Sequence, residues 1–206
     1  MKKIIISLCW GLIIISKVIA QQSEPVNFSV NSGMAFFVSP EEVTDYWSKG
    51  FILGAGLGIP FTPQLMLQVY FDFNNFKFDK SKYLRDYGFG TYGISISGGS
   101  ITAITVAGNL KINLVSNKTP SSVYPYLLGG VGLFRLSIGD MSVYDTSDVV
   151  IIPGEAESDF SVLLGLGFDI PVGEKINLFI EGRYIIAFTD GDNPQILPIK
   201  LGISFK

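Results

Sequence analysis

The 206-residue sequence contains no histidine and a single cysteine, Cys9. Without histidine there is no Ser-His-Asp or Asp-His arrangement, and the commonest general base near neutral pH is missing. Charge is also scarce: 16% of residues are charged, against about 25% in ordinary soluble domains. The formal net charge is −3, which argues against a nucleic-acid partner, since binding to phosphate needs a basic face. Mean hydropathy is nevertheless +0.40, too high for a disordered chain. Helical membrane proteins reach such values with apolar runs of about 20 residues. Beyond residue 20 the longest runs are four or five residues, as in Val149-Val150-Ile151-Ile152 and Tyr184-Ile185-Ile186-Ala187-Phe188.

The first 20 residues have a layout of their own. Lys2 and Lys3 precede the mostly apolar stretch Ile4 to Ile15, and Val18-Ile19-Ala20 leads into Gln21-Gln22-Ser23. A basic start, a short apolar stretch and a small-residue end make residues 1–20 a secretory signal peptide, cleaved after Ala20. An uncleaved anchor fits less well, because Lys17 interrupts a stretch already short for a span. Cys9 follows Leu8 rather than a small residue and sits too early for lipid attachment. Cleavage removes three lysines and the only cysteine, leaving residues 21–206 with a net charge of −6 and no thiol. Disulfides and cysteine metal ligands are then excluded in the exported chain.

Residues 21–206 alternate with period two over segments longer than ordinary strands. Phe28, Val30, Met34, Phe36 and Val38 oppose Asn27, Ser29, Asn31, Gly33 and Ala35. Phe51, Leu53, Leu57 and Ile59 oppose Gly54, Gly56 and Gly58, and Leu65, Leu67, Val69, Phe71 and Phe73 oppose Gln64, Gln68, Tyr70 and Asp72. Thr102 to Leu114, Tyr124 to Ile138, Phe160 to Ile170, Ile176 to Ile186 and Leu197 to Phe205 complete eight segments. The Tyr124–Ile138 segment is the least decisive, with leucine and valine on both faces; parity there places Arg135 and Ser137 with the polar face. Connections alternate strictly between short ones (Pro60 to Pro63, Val115 to Ser122, Pro171 to Lys175) and long or polar ones (Ser39 to Lys49, Asn74 to Gly98, Gly139 to Ser158, Thr189 to Gln195). An even number of strands with alternating tight turns and large loops describes an all-β, eight-stranded antiparallel up-and-down transmembrane β-barrel.

A soluble lipid-carrying barrel would turn its apolar face inward. Here the polar face is crowded with small residues such as Gly54, Gly56, Gly58, Ala103, Ala107, Gly165 and Gly167, which suit a narrow interior. The large side chains belong outside, against lipid, with aromatics such as Phe28, Phe36, Phe51, Phe73, Phe160, Phe188 and Phe205 near segment ends. The inward set then holds Lys111, Arg135, Arg183 and Lys200 with Asp72, Asp159, Asp169 and Glu181. Four charges of each sign in a narrow lumen point to a salt-bridged network centred on Arg135, Glu181, Arg183 and Lys200, with Lys200 facing Glu181 across neighbouring strands. For Asp72, Asp159, Asp169 and Lys111 a solvated place at the rims is the alternative.

Pro125-Tyr126-Leu127-Leu128-Gly129-Gly130-Val131-Gly132-Leu133, Leu178-Phe179-Ile180-Glu181-Gly182-Arg183-Tyr184 and the terminal Leu201-Gly202-Ile203-Ser204-Phe205-Lys206 carry a resemblance over essentially all of residues 21–206. They resemble the small outer-membrane β-barrel family of Gram-negative bacteria, the OmpA/OmpX-type outer membrane protein beta-barrel domain or porin-family group. The resemblance implies location in the cell outer membrane, contact with outer-membrane lipid and lipopolysaccharide, and reading of the C-terminal strand, through Phe205, by the barrel assembly machinery. The family usually ends on that aromatic residue; here Lys206 follows it.

Little else points to chemistry. Glu155 and Glu157 sit in a long, solvated connection, and the glycine clusters lack the strand-to-helix context of a dinucleotide loop. Thr189-Asp190-Gly191-Asp192-Asn193 begins like a calcium loop but lacks the remaining ligands. No catalytic residue, metal ligand or cofactor is assigned. The connection Asn74 to Gly98 interleaves Phe76, Phe78, Tyr83, Tyr87, Phe89 and Tyr92 with Lys77, Lys80, Lys82 and Arg85. Phe76, Phe78, Tyr83, Arg85 and Tyr87 are the candidate surface contacts for an extracellular ligand; aromatics packing on one another in a protruding hairpin are the alternative. The expected role is a monomeric, non-enzymatic platform displaying loops, or alternatively a narrow channel or transporter for small or hydrophobic molecules.

Overall fold

A computed structural model of the protein describes residues 25–47, 49–89, 94–115, 122–144, 149–189 and 191–206. The signal-peptide reading of residues 1–20 falls outside them. In chain order the elements are β1 (Asn27–Ser39), α1 (Glu41–Tyr46), β2 (Lys49–Pro60), β3 (Leu65–Phe76), α2 (Lys80–Asp86), β4 (Ser95–Gly98), β5 (Ile101–Asn113), β6 (Tyr124–Ile138), β7 (Met141–Tyr144), β8 (Val149–Ile152), β9 (Ala156–Pro171), β10 (Ile176–Ala187) and β11 (Gln195–Phe205). The eight long strands close into one antiparallel barrel in the order β1-β11-β10-β9-β6-β5-β3-β2. Closure is made by the first and last strands, from Phe28 opposite Phe205 to Phe36 opposite Leu197. No barrel strand is left with an open edge, so every strand's polar backbone has a neighbour on both sides, as a bilayer requires.

The alternation read from the sequence sets the two surfaces. On β5, Ile101, Ala103, Thr105, Ala107, Asn109, Lys111 and Asn113 are all buried, while Val106, Leu110 and Ile112 between them are exposed. The outer wall is apolar around the barrel, from Val30, Leu53 and Val69 to Leu164, Leu166 and Leu201. A short turn illustrates the tight rim: the Phe61 N–H donates to the Leu65 carbonyl, and the Thr62 hydroxyl accepts from the Leu65 N–H at 3.0 Å.

The other rim carries structured loops. α1 follows β1, α2 follows β3, and β4, β7 and β8 pair as a separate three-stranded antiparallel sheet. Asp79 caps the start of α2: its carboxylate accepts from the Lys82 N–H at 3.0 Å and so satisfies one free donor of the first turn. β8 is the edge of the small sheet, and its four residues Val149 to Ile152 are all exposed.

Candidate functional site

From the long-loop rim inward, the lumen is first filled by apolar side chains. Phe37, Ile52, Phe76, Ile101, Phe134, Leu163, Ile185 and Ile196 are buried there with Ala35, Ala103 and Ala187. The Phe37 and Phe76 rings lie 4.2 Å apart, and Trp47 from the loop after α1 packs onto this cluster from above. Such a plug does not follow from an inner face described as polar or small. Its members occupy inward positions near the long-loop ends of their strands, where larger residues replace the glycines of the barrel's middle.

Below the plug lies a layer of charge. Lys200 is fully buried, with its ammonium 2.8 Å from the Asp72 carboxylate and 3.4 Å from Glu181. Arg183 reaches Glu181 at 2.5 Å and Asp72 at 3.5 Å, and its guanidinium lies 3.8 Å from the centre of the Tyr70 ring. The Tyr126 hydroxyl donates to the second Glu181 oxygen at 2.9 Å. β10–β11 register explains part of this arrangement, since Glu181 stands directly opposite Lys200. Asp72 crosses the lumen from β3 to complete it. Toward the short-turn rim follows a second pair, Lys111 with Asp169 at 2.6 Å, with the lysine 3.7 Å from the Tyr126 ring centre. Among the described residues, Lys111, Arg183 and Lys200 face Asp72, Asp169 and Glu181, so the buried layer is neutral. Each ion has an opposite partner, the condition under which charge tolerates burial.

A cavity of about 200 Å³ runs from the short-turn rim to the underside of this layer, lined by Asn27, Asn31, Gln68 and Asn113 and ending against Arg183 and Glu181. It does not reach the plug residues.

Arg135, expected in the network, is not in the lumen. It is exposed, and its guanidinium donates to the Ser158 hydroxyl at 3.0 Å on the neighbouring strand. On β6 the even positions face inward, as buried Tyr124, Tyr126, Leu128 and Phe134 show, so Arg135 and Ser137 point out. With apolar residues on both faces, this strand lacks the hydrophobic contrast that sets parity elsewhere. Phe134 goes to the plug, and Arg135, close to the end of its strand, reaches the aqueous rim. Asp159 is half-buried on the inward face of β9.

The surface candidates also divide. Phe76 is still part of β3, at an inward position, and is fully buried in the plug. Phe78 is buried beneath Trp47, with ring centres 4.7 Å apart. Neither is available to a ligand, because the strand runs past the expected loop boundary and Phe78 anchors the loop onto α1. Tyr83 packs edge-on against Tyr46 at 5.1 Å and against Tyr87 at 4.6 Å. Tyr87 and Arg85 remain exposed. The aromatics of this connection thus build one continuous stack that joins α1 to α2, extended by the Trp47 indole N–H donating to the Gly99 carbonyl. Tyr92 and Asp190 lie outside the described residues.

The profile of a family described as outer membrane protein beta-barrel domain matches residues 9–206. Among solved structures, Neisserial surface protein A is similar at a TM-score of 0.57 and 15% identity, over 88% of this chain and 96% of that one. The attachment invasion locus protein of Yersinia pestis gives 0.49 and 13%, over 88% and 100%. The N-terminal β-barrel domain of Pseudomonas aeruginosa OprF gives 0.44 and 10%, over 87% and 97%. No curated protein sequence matches the chain.

Proposed function

The chain belongs to the outer membrane protein beta-barrel domain family, and on that premise we propose that it is a closed, non-enzymatic barrel that holds a structured loop head above the outer membrane. The observation that carries this reading is the stoppered lumen. Among the described residues the apolar plug lies over a neutral ion-paired layer and the cavity below ends against that layer, so the barrel serves as a rigid mount rather than a conduit. The same layer speaks against catalysis: Asp72 and Glu181 are each engaged by two cations, and Glu181 also accepts from Tyr126. The narrow-channel alternative rests on the 200 Å³ cavity, which opens at one rim only.

In this reading residues 1–20 direct export, the terminal strand with Phe205 is what the assembly machinery reads, and the barrel works as a monomer. The short turns face the periplasm and the loop head faces outward. Cysteine accessibility tests the orientation. Val150→Cys on exposed β8 is expected to react with a membrane-impermeant maleimide on intact cells, whereas Gly173→Cys in a short turn reacts only after permeabilisation. The reverse pattern would refute the display of the loop head.

A further inference from the structure

The register of β2 with β3 ends on Gly50 opposite Phe76. Lys49, the first residue of β2, and Lys77, the next residue after the end of β3, are both exposed. With Lys80 at the start of α2 they line a cavity of about 540 Å³ whose remaining wall includes Tyr46, Phe51 and Phe78.

The neighbouring cations of the same loop are neutralised: Lys82 is 3.2 Å from Asp45, and Arg85 is 3.5 Å from Asp86. Lys49, Lys77 and Lys80 have no carboxylate within salt-bridge distance among the described residues. Asp79, the one acid among the described residues that line the cavity, accepts from the Lys82 N–H. Directly toward the membrane from these lysines, Phe51 and Phe73 sit side by side on the outer wall with ring centres 6.1 Å apart. Leu53 and Phe71 continue the apolar surface below them. An aromatic girdle marks the level of the lipid headgroups, so the lysines lie where lipid phosphates lie.

The geometry points to a binding site for a phosphate-bearing lipid headgroup of the outer leaflet, its phosphate held by Lys49, Lys77 and Lys80 and its acyl chains laid along Phe51, Phe73 and Leu53. The phosphate supplies the negative charge that the three lysines lack, and the continuous apolar wall beneath favours a lipid over a free anion. The assignment to the outer leaflet rests on the orientation proposed above; the chemistry of the site does not.

The test uses folded protein in neutral detergent micelles, titrated with lipid A, with dephosphorylated lipid A and with inorganic phosphate, and read by native mass spectrometry. Lipid A is expected to bind about tenfold more tightly than its dephosphorylated form, the size of one charge-assisted contact. Lys49→Gln/Lys77→Gln should abolish that preference. Lys49→Arg/Lys77→Arg should keep it, as should Lys175→Gln/Lys206→Gln at the opposite rim. Equal binding of the two lipids, or a preference that survives the Gln pair, would overturn the site. Inorganic phosphate competing on a par with lipid A would overturn the lipid assignment and leave a free-anion site. In micelles no face is favoured, so a failed orientation would show only in the cysteine labelling.

Discussion

Lys200→Met is expected to destabilise the folded barrel by about 3–5 kcal/mol, the usual cost of leaving one partner of a buried ion pair without its counter-charge. Lys200 is completely buried, and the layer it belongs to balances two cations, Lys200 and Arg183, against Asp72 and Glu181. Removing its ammonium leaves Arg183 alone between two carboxylates, with Asp72 keeping only a contact at 3.5 Å. The methionine fills similar volume, so packing loss is small and the charge imbalance dominates. Adding Asp72→Asn restores neutrality, and the double variant should recover most of the loss. Urea unfolding in lipid vesicles, followed by tryptophan fluorescence and heat-modifiable migration, measures both. Equal stability of wild type and Lys200→Met would mean that the layer is hydrated and screened, as an open lumen would be.

The second large effect belongs to the outer wall. Leu164 is 72% exposed, midway between Phe160 and Phe168 on β9. In a soluble barrel an exposed leucine exchanges for arginine at almost no cost. On a lipid-facing wall near the bilayer midplane the same change costs about 2–4 kcal/mol. Leu164→Arg is therefore expected to lose that much stability in vesicles, while Val172→Arg, exposed beyond the end of β9 near the short-turn rim, should change it by less than about 1 kcal/mol. Unchanged stability of Leu164→Arg in a bilayer would contradict the assignment of this wall to lipid.

The barrel was legible in the sequence because one physical constraint repeats along it. Lipid outside and a narrow interior force alternation, and segments such as Phe51 to Ile59 or Leu65 to Phe73 carry that contrast at nearly every position. Strand count, order and turn asymmetry follow from it. Glu181, Arg183 and Lys200 could be grouped because inward charges on adjacent strands stand out against small neighbours. Asp72 was legible as inward, but its contact with Lys200 crosses the lumen from a strand far away in sequence, which no local pattern encodes. Sequence parity alone puts Arg135 inside because β6 is apolar on both faces, so its true parity depends on Phe134 finding the plug.

The plug itself was hidden for a related reason. Near the long-loop rim the inward positions are as apolar as the outward ones: Ile185 and Ile186 are neighbours in sequence, one sealed in the lumen and the other on the outer wall. Hydrophobicity alone cannot assign such residues, and Phe76 and Phe78 look like loop aromatics for the same reason. Only the continuation of β3 to Phe76 and the stacking of Phe78 under Trp47 separate them from Tyr87, which does face solvent.

A shut lumen carries no ionic current, and single-channel recording in a planar bilayer reads this out. Folded wild-type protein, inserted in molar potassium chloride, is predicted to leave the current at baseline. Reproducible, stable conductance steps from the same preparation would contradict it and make the barrel a channel.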